Sequence, residues 1–421
     1  AFLPAVFSVW LWRVCRRAGT MVVREGRRTV PWDFFTLVAV LLIMFVTGVL
    51  WTARYSPQSA AATGNGKFTV PVMTVQLNLS QKEKWDAANR GAIYRALLDT
   101  TEQGMLDLQN SVLEQAAKNG TEASLNMPAW VIWPESSFRD STGERFPNQD
   151  NVNFLSVEED YVQALRNGIC NFILLTGTDD IYLSDEGRVA RAYNCLTVFE
   201  GDYSTARPHA KAMLVPFGEY IPMRETFPFL EKAFEASAGT AMGMNYTPGA
   251  SSSPVPVPMR PGSSATVGVI PLVCFEDVVG SWVRRFVRQE PQLMVNVTND
   301  GWFNRSCANE QHWRNAAFRC IELRRSMVRA ANTGVSVALA PNGAVIADLR
   351  DSSGSPFTRG VMNATLPVGC TEMTLYALFG DWAILACFLL FAALLLRRMN
   401  EGKRNAGPVK DGVYRRGATP R

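Results

Sequence analysis

An α/β sheet domain held between two membrane-spanning helices is the fold class that this 421-residue sequence predicts. Three observations carry it. Two long apolar runs flank the centre, short arginine-rich stretches lie outside both, and the centre alternates β-rich apolar runs with longer helical patterns.

In chain order, Ala1 to Trp12 is apolar but too short to span, and reads as the end of a transmembrane helix whose beginning is missing. Residues 13–31 form a basic loop with Arg13, Arg16, Arg17, Arg24, Arg27 and Arg28. Residues 32–53 are the first full span, since Phe34 to Trp51 carries no charge. Residues 54–67 read as a small, polar linker, and residues 68–371 as the central domain. Residues 372–396 are the second span, with Asp381 the only charge between Leu375 and Leu396, and residues 397–421 are a basic tail. Short flanks rich in Arg and Lys stay on the cytoplasmic side, which places the domain on the extracytoplasmic face of a membrane.

Within the domain, strands are expected at Thr69–Gln76, Ala129–Trp133, Asn171–Thr176, Tyr193–Phe199, Val267–Val273, Leu293–Thr298 and Val335–Ala340. Helical patterns fall at Lys82–Lys118, Glu158–Asn167, Asp277–Arg288 and Glu310–Arg329. Asn342-Gly343 before Ala344–Asp348 signals a tight hairpin and hence a mixed sheet. Met223–Gly249 and the Pro/Ser/Gly loop Ser251–Ser264 break the alternation. The aromatic and Met residues of the first pack on their own domain or form arms that meet lipid.

Charge narrows the partners. The formal net charge is +4, yet the flanks hold 14 of the 42 Lys and Arg and only five of the 38 Asp and Glu. Residues 52–374 are thus mildly acidic, which argues against a nucleic-acid partner. Eight cysteines at irregular spacings without Cys-x-x-Cys, and two histidines, give a metal site little to build on. No metal or cofactor is expected.

Three residues suggest chemistry. Cys274 ends the apolar run Thr266–Val273 at the mouth of a helical pattern, where unpaired N–H groups lower a thiol's pKa and hold an oxyanion. Glu135 closes Trp133-Pro134-Glu135, and Lys211 opens Lys211-Ala-Met-Leu-Val-Pro-Phe-Gly-Glu219-Tyr220. A carboxylate can take the thiol proton while an ammonium favours thiolate and oxyanion, giving acyl transfer without histidine. Each also has a plainer reading: a buried structural cysteine, a turn carboxylate, a solvated loop charge. His312 reads as a structural hydrogen-bonding residue near a helix start, and His209 as a loop residue or a site contributor. Arg324, Arg325 and Arg329 read as partners of carboxylates or helix ends.

The wider motifs are more specific. Trp133-Pro-Glu135, Leu214-Val-Pro-Phe-Gly-Glu-Tyr220, Cys274-Phe-Glu276, Asn299-Asp-Gly-Trp302-Phe and Arg329-Ala-Ala-Asn332-Thr-Gly334 resemble the nitrilase superfamily over residues 68–371. Within it the chain resembles the apolipoprotein N-acyltransferase family, including both flanking spans. The resemblance implies a four-layer α-β-β-α sandwich with Glu135 as general base, Lys211 as oxyanion-stabilising cation and Cys274 as nucleophile. It implies supporting or substrate-binding parts for Glu219, Glu276, Trp85, Phe275, Asn194, Tyr220, Asn299 and Trp302. Three positions depart from the pattern: Phe275 stands where Tyr is frequent, Met213 where His is frequent, and Asn304 where Gly is common.

The implied reaction passes an acyl chain from the sn-1 position of a phospholipid, phosphatidylethanolamine in the family, through a thioester on Cys274. The acceptor is the α-amine of a diacylglyceryl-cysteine at a lipoprotein N-terminus, and the setting is the bacterial inner membrane. Two alternatives remain at this stage: a membrane-tethered amidase acting on small C–N substrates, and an idle scaffold that retains the fold.

Overall fold

The computed structural model describes residues 32–119, 127–138, 162–183, 189–201, 206–223 and 246–405, with the single residues 160 and 226. Ala1–Trp12, the whole basic loop, the last part of the basic tail and most of the Met223–Gly249 arm lie outside them. The chain falls into two units, residues 1–51 and 52–421, and everything below from Thr52 onward belongs to the second.

Strands with apolar side chains on both faces need cover on both faces, and two stacked sheets with outer helices supply it. The first sheet runs β12 (Gly360–Pro367), β1 (Thr69–Gln76), β2 (Trp130–Phe138), β3 (Ile173–Leu183), β4 (Val189–Phe199), β5 (Arg207–Ala210). The second runs β11 (Val345–Asp348), β10 (Val337–Leu339), β9 (Ser326–Ala331), β8 (Gln292–Thr298), β7 (Thr266–Val273), β6 (Val255–Pro258). Both sheets are mixed. Pairs β1–β2, β2–β3, β7–β8 and β8–β9 are parallel, and the outer pairs antiparallel.

Alternation along the strands builds the layers. Val70 and Val72 of β1 face inward with Trp130 and Ile132, against Val269, Val295 and Val328 of the other sheet. Met73 and Val75 face outward with Trp133, against Leu97, Leu98 and Met105 of helix α4 (Arg90–Asn119). On the opposite outer face Ile270, Leu272, Met294 and Met327 pack on Ala316, Cys320 and Leu323 of α5 (Ala308–Leu323). The order helix, sheet, sheet, helix is the nitrilase-like α/β arrangement expected.

Several elements differ from their expected form. The pattern Lys82–Lys118 divides into α3 (Gln81–Trp85), a 3-10 turn at Ala87–Asn89, and α4. A Ser80–Glu83 capping box starts α3, and the Asp86 carboxylate accepts from the Ala88 amide at the break. The helix expected to reach Arg329 stops at Leu323, because Arg324 turns left-handed at φ 55° and Ser326–Ala331 becomes a buried strand. Asp277–Arg288 is three short helical turns rather than one helix. The Ser251–Ser264 loop contributes β6. The hairpin at Asn342-Gly343 is present, with Gly343 at φ 81°.

The linker also departs from a loose tether. Tyr55 and Ala62 are buried, Ser59 caps the short helix α2 (Ala60–Thr63), and the Gly369 amide donates to the Ala62 carbonyl at 2.7 Å. Glu372 accepts from both Arg54 and Tyr55, so the segments entering and leaving the domain are joined. Beyond it, the run Leu375–Leu396 is not one helix. It comprises α6 (Leu375–Phe379), a turn at Gly380 with φ 61°, and α7 (Trp382–Asn405). At the other end α1 spans Trp32–Arg54. Among the described residues no helix is long and apolar enough to cross a membrane. In α1 the side chains of 32–37 and 40 lie outside that description.

Candidate active site

Glu135 sits where β2 departs from regular pairing. The register with β3 shifts between Trp133 and Phe138, and Ser136 adopts a left-handed φ of 49°. Gly177 on β3 makes the bulge possible: a Cβ there would stand 2.4 Å from Glu135 Cα and 2.7 Å from the Pro134 carbonyl. The Glu135 side chain is buried. Its Oε1 accepts from Asn194 Nδ2 at 2.7 Å, while Oε2 has no hydrogen-bond partner among the described residues. The Lys84 ammonium fixes the backbone, donating to the Glu135 carbonyl at 2.8 Å. Burial raises the Glu135 pKa above the ordinary carboxylate range, with Lys211 opposing.

Lys211 follows β5 and is fully buried, at 0 % exposure. Its amide donates to the Asn194 carbonyl at 2.8 Å, and its Nζ lies 2.7 Å from Glu219 Oε1. Burial alone would lower its pKa, but Cys274, Glu219 and Glu135 outweigh that and hold it above the usual lysine value. Glu219 is steadied in turn, its Oε2 accepting from the Val215 amide at 2.9 Å. Asn194 Nδ2 reaches both carboxylates, at 3.4 Å to Glu219.

Cys274 ends β7 with φ 51°, a left-handed conformation that L residues other than glycine rarely adopt, and heads a 3-10 turn through Val278. Asn296 Nδ2 donates to its carbonyl at 2.9 Å. The expectation of a lowered thiol pKa does not hold. Burial raises it, the Glu135 charge adds to that, and Lys211 opposes. A five-residue turn supplies little of a long helix's N-terminal field, so desolvation wins. The resting group is a thiol.

Glu276 is the tie between the two halves. Fully buried, it accepts from the Ala212 and Met213 amides through Oε1, at 2.8 and 3.1 Å, and from the Val273 amide through Oε2 at 3.0 Å. One carboxylate thus fastens the loop carrying Lys211 to the strand end carrying Cys274. Burial raises its pKa, against Lys211 and those three amides.

The remaining expected residues divide. Trp85 is exposed and donates to Gln81 Oε1 at 3.1 Å, which also accepts from Asn299 Nδ2 at 2.9 Å. Asn299 Oδ1 accepts from Asn332 at 3.0 Å, so this chain of amides links α3 to the second sheet. Phe275 and Trp302 are exposed and Tyr220 is half-buried. Among the described residues no side-chain hydrogen bond joins these three to Glu135, Lys211 or Cys274.

Sequence reasoning missed several neighbours. Lys84, which the sequence places in the helical pattern Lys82–Lys118 without assigning it a part in the site, is buried against Glu135. His312, read from the sequence as a structural hydrogen-bonding residue near a helix start, is one: it sits early in α5 between two buried aspartates, which the sequence did not name. Nδ1 is 2.9 Å from Asp300 and Nε2 is 3.1 Å from Asp277, which belongs to the turn after Cys274. Arg329 meets both Asp300 oxygens at 2.9 Å and Asp277 at 3.4 Å. Burial alone would raise Asp300, but Arg329 and His312 hold it at about 2. Burial alone would lower His312, but Asp277 and Asp300 raise it to about 9. His209 lies on β5, lowered to about 4 by burial and packed on Phe286.

No family model matches the chain. It is 28% identical over 392 residues to an apolipoprotein N-acyltransferase of Bradyrhizobium diazoefficiens, covering 92% of this chain and 63% of that protein. It is 32% identical over 280 residues to apolipoprotein N-acyltransferase 1 of Treponema pallidum, covering 63% of this chain and 46% of that protein. The chain thus spans about half to two thirds of these relatives' length. Among solved structures it is similar to a carbon-nitrogen hydrolase from Helicobacter pylori G27, with TM-score 0.43, 12% identity and coverage of 72% of this chain and 91% of that one. An amidase from Nesterenkonia sp. gives 0.38 and 15%, covering 75% and 96%. Superpositions this loose bear on neither fold nor chemistry. The sequence matches make the chain similar to the apolipoprotein N-acyltransferases over most of its length, and its own strands and helices form the α-β-β-α domain described above.

Proposed function

We propose that the chain is an apolipoprotein N-acyltransferase that uses Glu135, Lys211 and Cys274 as base, oxyanion partner and nucleophile. One observation carries this reading. Glu135 and Lys211, both buried, and the half-buried Cys274, far apart in sequence, lie near enough for each to feel the others' charge, with the thiol on a left-handed turn at a strand end.

Glu135 takes the Cys274 proton as Sγ bonds to the carbonyl carbon of the sn-1 ester of a phospholipid. The oxyanion is met by the Lys211 ammonium and by backbone amides of the turn. Collapse breaks the C–O bond, and lysophospholipid leaves with the proton held on Glu135. A thioester remains. The α-amine of a diacylglyceryl-cysteine then attacks it, Glu135 takes the amine proton, and the Cys274 thiolate departs and regains that proton. Glu219 and Glu276 position the lysine and the thiol. Asn194 orients the base. Trp85, Phe275, Tyr220, Asn299 and Trp302 are assigned to substrate contact, the exposed rings among them suiting acyl chains.

Residues 32–53 and the helix that begins at Trp382 are proposed to span the bacterial inner membrane, with 13–31 and 397–421 cytoplasmic and 68–371 outside. Both helices carry exposed apolar side chains over successive turns, with Ile43 at 62%, Phe45 at 69%, Ile384 at 68% and Phe388 at 65%. Lipid covers such surfaces. Phosphatidylethanolamine is the expected donor, and no cofactor takes part.

Intact-protein mass spectrometry after exposure to phospholipid tests the reading. An acyl-sized increase on the Cys274 peptide, absent in Cys274→Ser, is expected. Release of ammonia from small amides with no acyl adduct would replace it with the amidase reading.

A further inference from the structure

A second buried carboxyl lies behind the base and has no part in the chemistry above. Asp179 of β3 is fully buried. Its Oδ1 accepts two hydrogen bonds, from Ser136 Oγ at 3.0 Å and from the Tyr246 hydroxyl at 3.0 Å, while Oδ2 has no hydrogen-bond partner among the described residues. Ser136 is the left-handed residue directly after Glu135. The amide of Tyr246 donates to the carbonyl of Glu219 at 2.9 Å. Asp179 therefore grips the bulge that presents the base, and through Tyr246 the segment that holds Lys211's partner.

We propose that Asp179 is a positioning residue for Glu135 that also sets the pH at which this base becomes ionised. The inference rests on the catalytic reading of Glu135 and Cys274 given above.

The groups facing Asp179 explain why its charge matters. Glu135 on β2 and Asp180 beside it are acidic; Lys84 on α3 is a cation that opposes them, and Tyr246 and Cys195 of β4 stay neutral because burial raises them. Burial raises Asp179 to about 7, with Glu135 adding and its two hydroxyl donors and Lys84 opposing. Two carboxyls in one dry pocket do not ionise independently. As pH rises, charge on either one delays charge on the other, and the thiol waits for Glu135. Asp179 is thus a brake on activation of Cys274 near neutrality.

The test is the pH dependence of Cys274 alkylation by iodoacetamide, read by mass spectrometry of the Cys274 peptide in the full chain. Asp179→Asn keeps an oxygen for Ser136 and Tyr246 but removes the charge. The pH at which Cys274 gains reactivity is expected to fall by roughly one unit. Tyr246→Phe, which removes one donor to the charged form and leaves Asp179 neutral over a wider range, is expected to move it in the same direction by less. Unshifted profiles in a folded Asp179→Asn chain would overturn the proposal, and if that variant does not fold, an unshifted Tyr246→Phe profile would do so. The readout needs no acyl donor. Failure of wild type to form an acyl adduct would sink the function proposed above and leave this result standing.

Discussion

At Cys274 the backbone and the chemistry make opposite demands. A left-handed φ of 51° suits glycine, and a thiol can be presented there only at a cost in strain of about 1 kcal/mol. Cys274→Ala keeps that strain and removes the sulfur, whereas Cys274→Gly removes both. We expect both variants to lose acyl transfer, with the glycine variant more stable than the alanine one by about 1 kcal/mol in urea unfolding. Equal stabilities would mean the turn is not strained. Glu276 gives a complementary case, since all three of its contacts are amide donors. Glu276→Gln turns one acceptor into a donor facing an N–H group. The expected loss is about 2 kcal/mol of stability together with most of the acyl transfer. A variant as stable and as active as the parent would remove Glu276 from its role as the tie.

Elements explain what could be read in advance. Thr69–Gln76 and the strand before Cys274 were legible because burial on both faces leaves an unbroken apolar run. Those strand ends then pointed to Glu135 and Cys274. The strand Ser326–Ala331 was hidden because no Gly, Asn or Pro marks the stop after Leu323; an arginine takes the left-handed position instead. Lys84 and Asp179 were hidden for a different reason. Nothing local distinguishes a buried Lys on an amphipathic turn, or an Asp within a strand, from its solvated equivalent; only the tertiary packing does. Gly177 is the element-scale test of the bulge. Gly177→Ala puts a methyl against the Glu135 backbone, with no flexible side chain to yield. We expect that variant to lose activity by about 10²-fold or more through displacement of the base. Retention of wild-type rates would show that the bulge can give way.

Over the whole molecule, the Arg329–Asp300–His312–Asp277 cluster ties the turn after β8, strand β9, α5 and the turn after Cys274 into one charged knot. Its pH dependence has two sides. Asp300 is depressed from 3.8 to about 2, so its contribution is present above about 3.8 and is lost as pH falls through about 2. His312 is raised from 6.5 to about 9, so its contribution is complete below 6.5 and is lost as pH rises through about 9. Thermal melting should therefore fall between pH 6.5 and 9, and His312→Gln should flatten that decline. An equal decline in both proteins would place its origin elsewhere. The proposed spans carry their own test: alkaline carbonate should leave the chain in the membrane pellet, and release into the supernatant would refute them.

Glu135 and Lys211 hang from one sheet and Cys274 from the other, and a single carboxylate, that of Glu276, laces the two. A chain in which only the first sheet has formed therefore holds Glu135 and Lys211 without the thiol, and Cys274 joins them only when the second sheet docks. On the roles proposed above, an incomplete fold cleaves nothing.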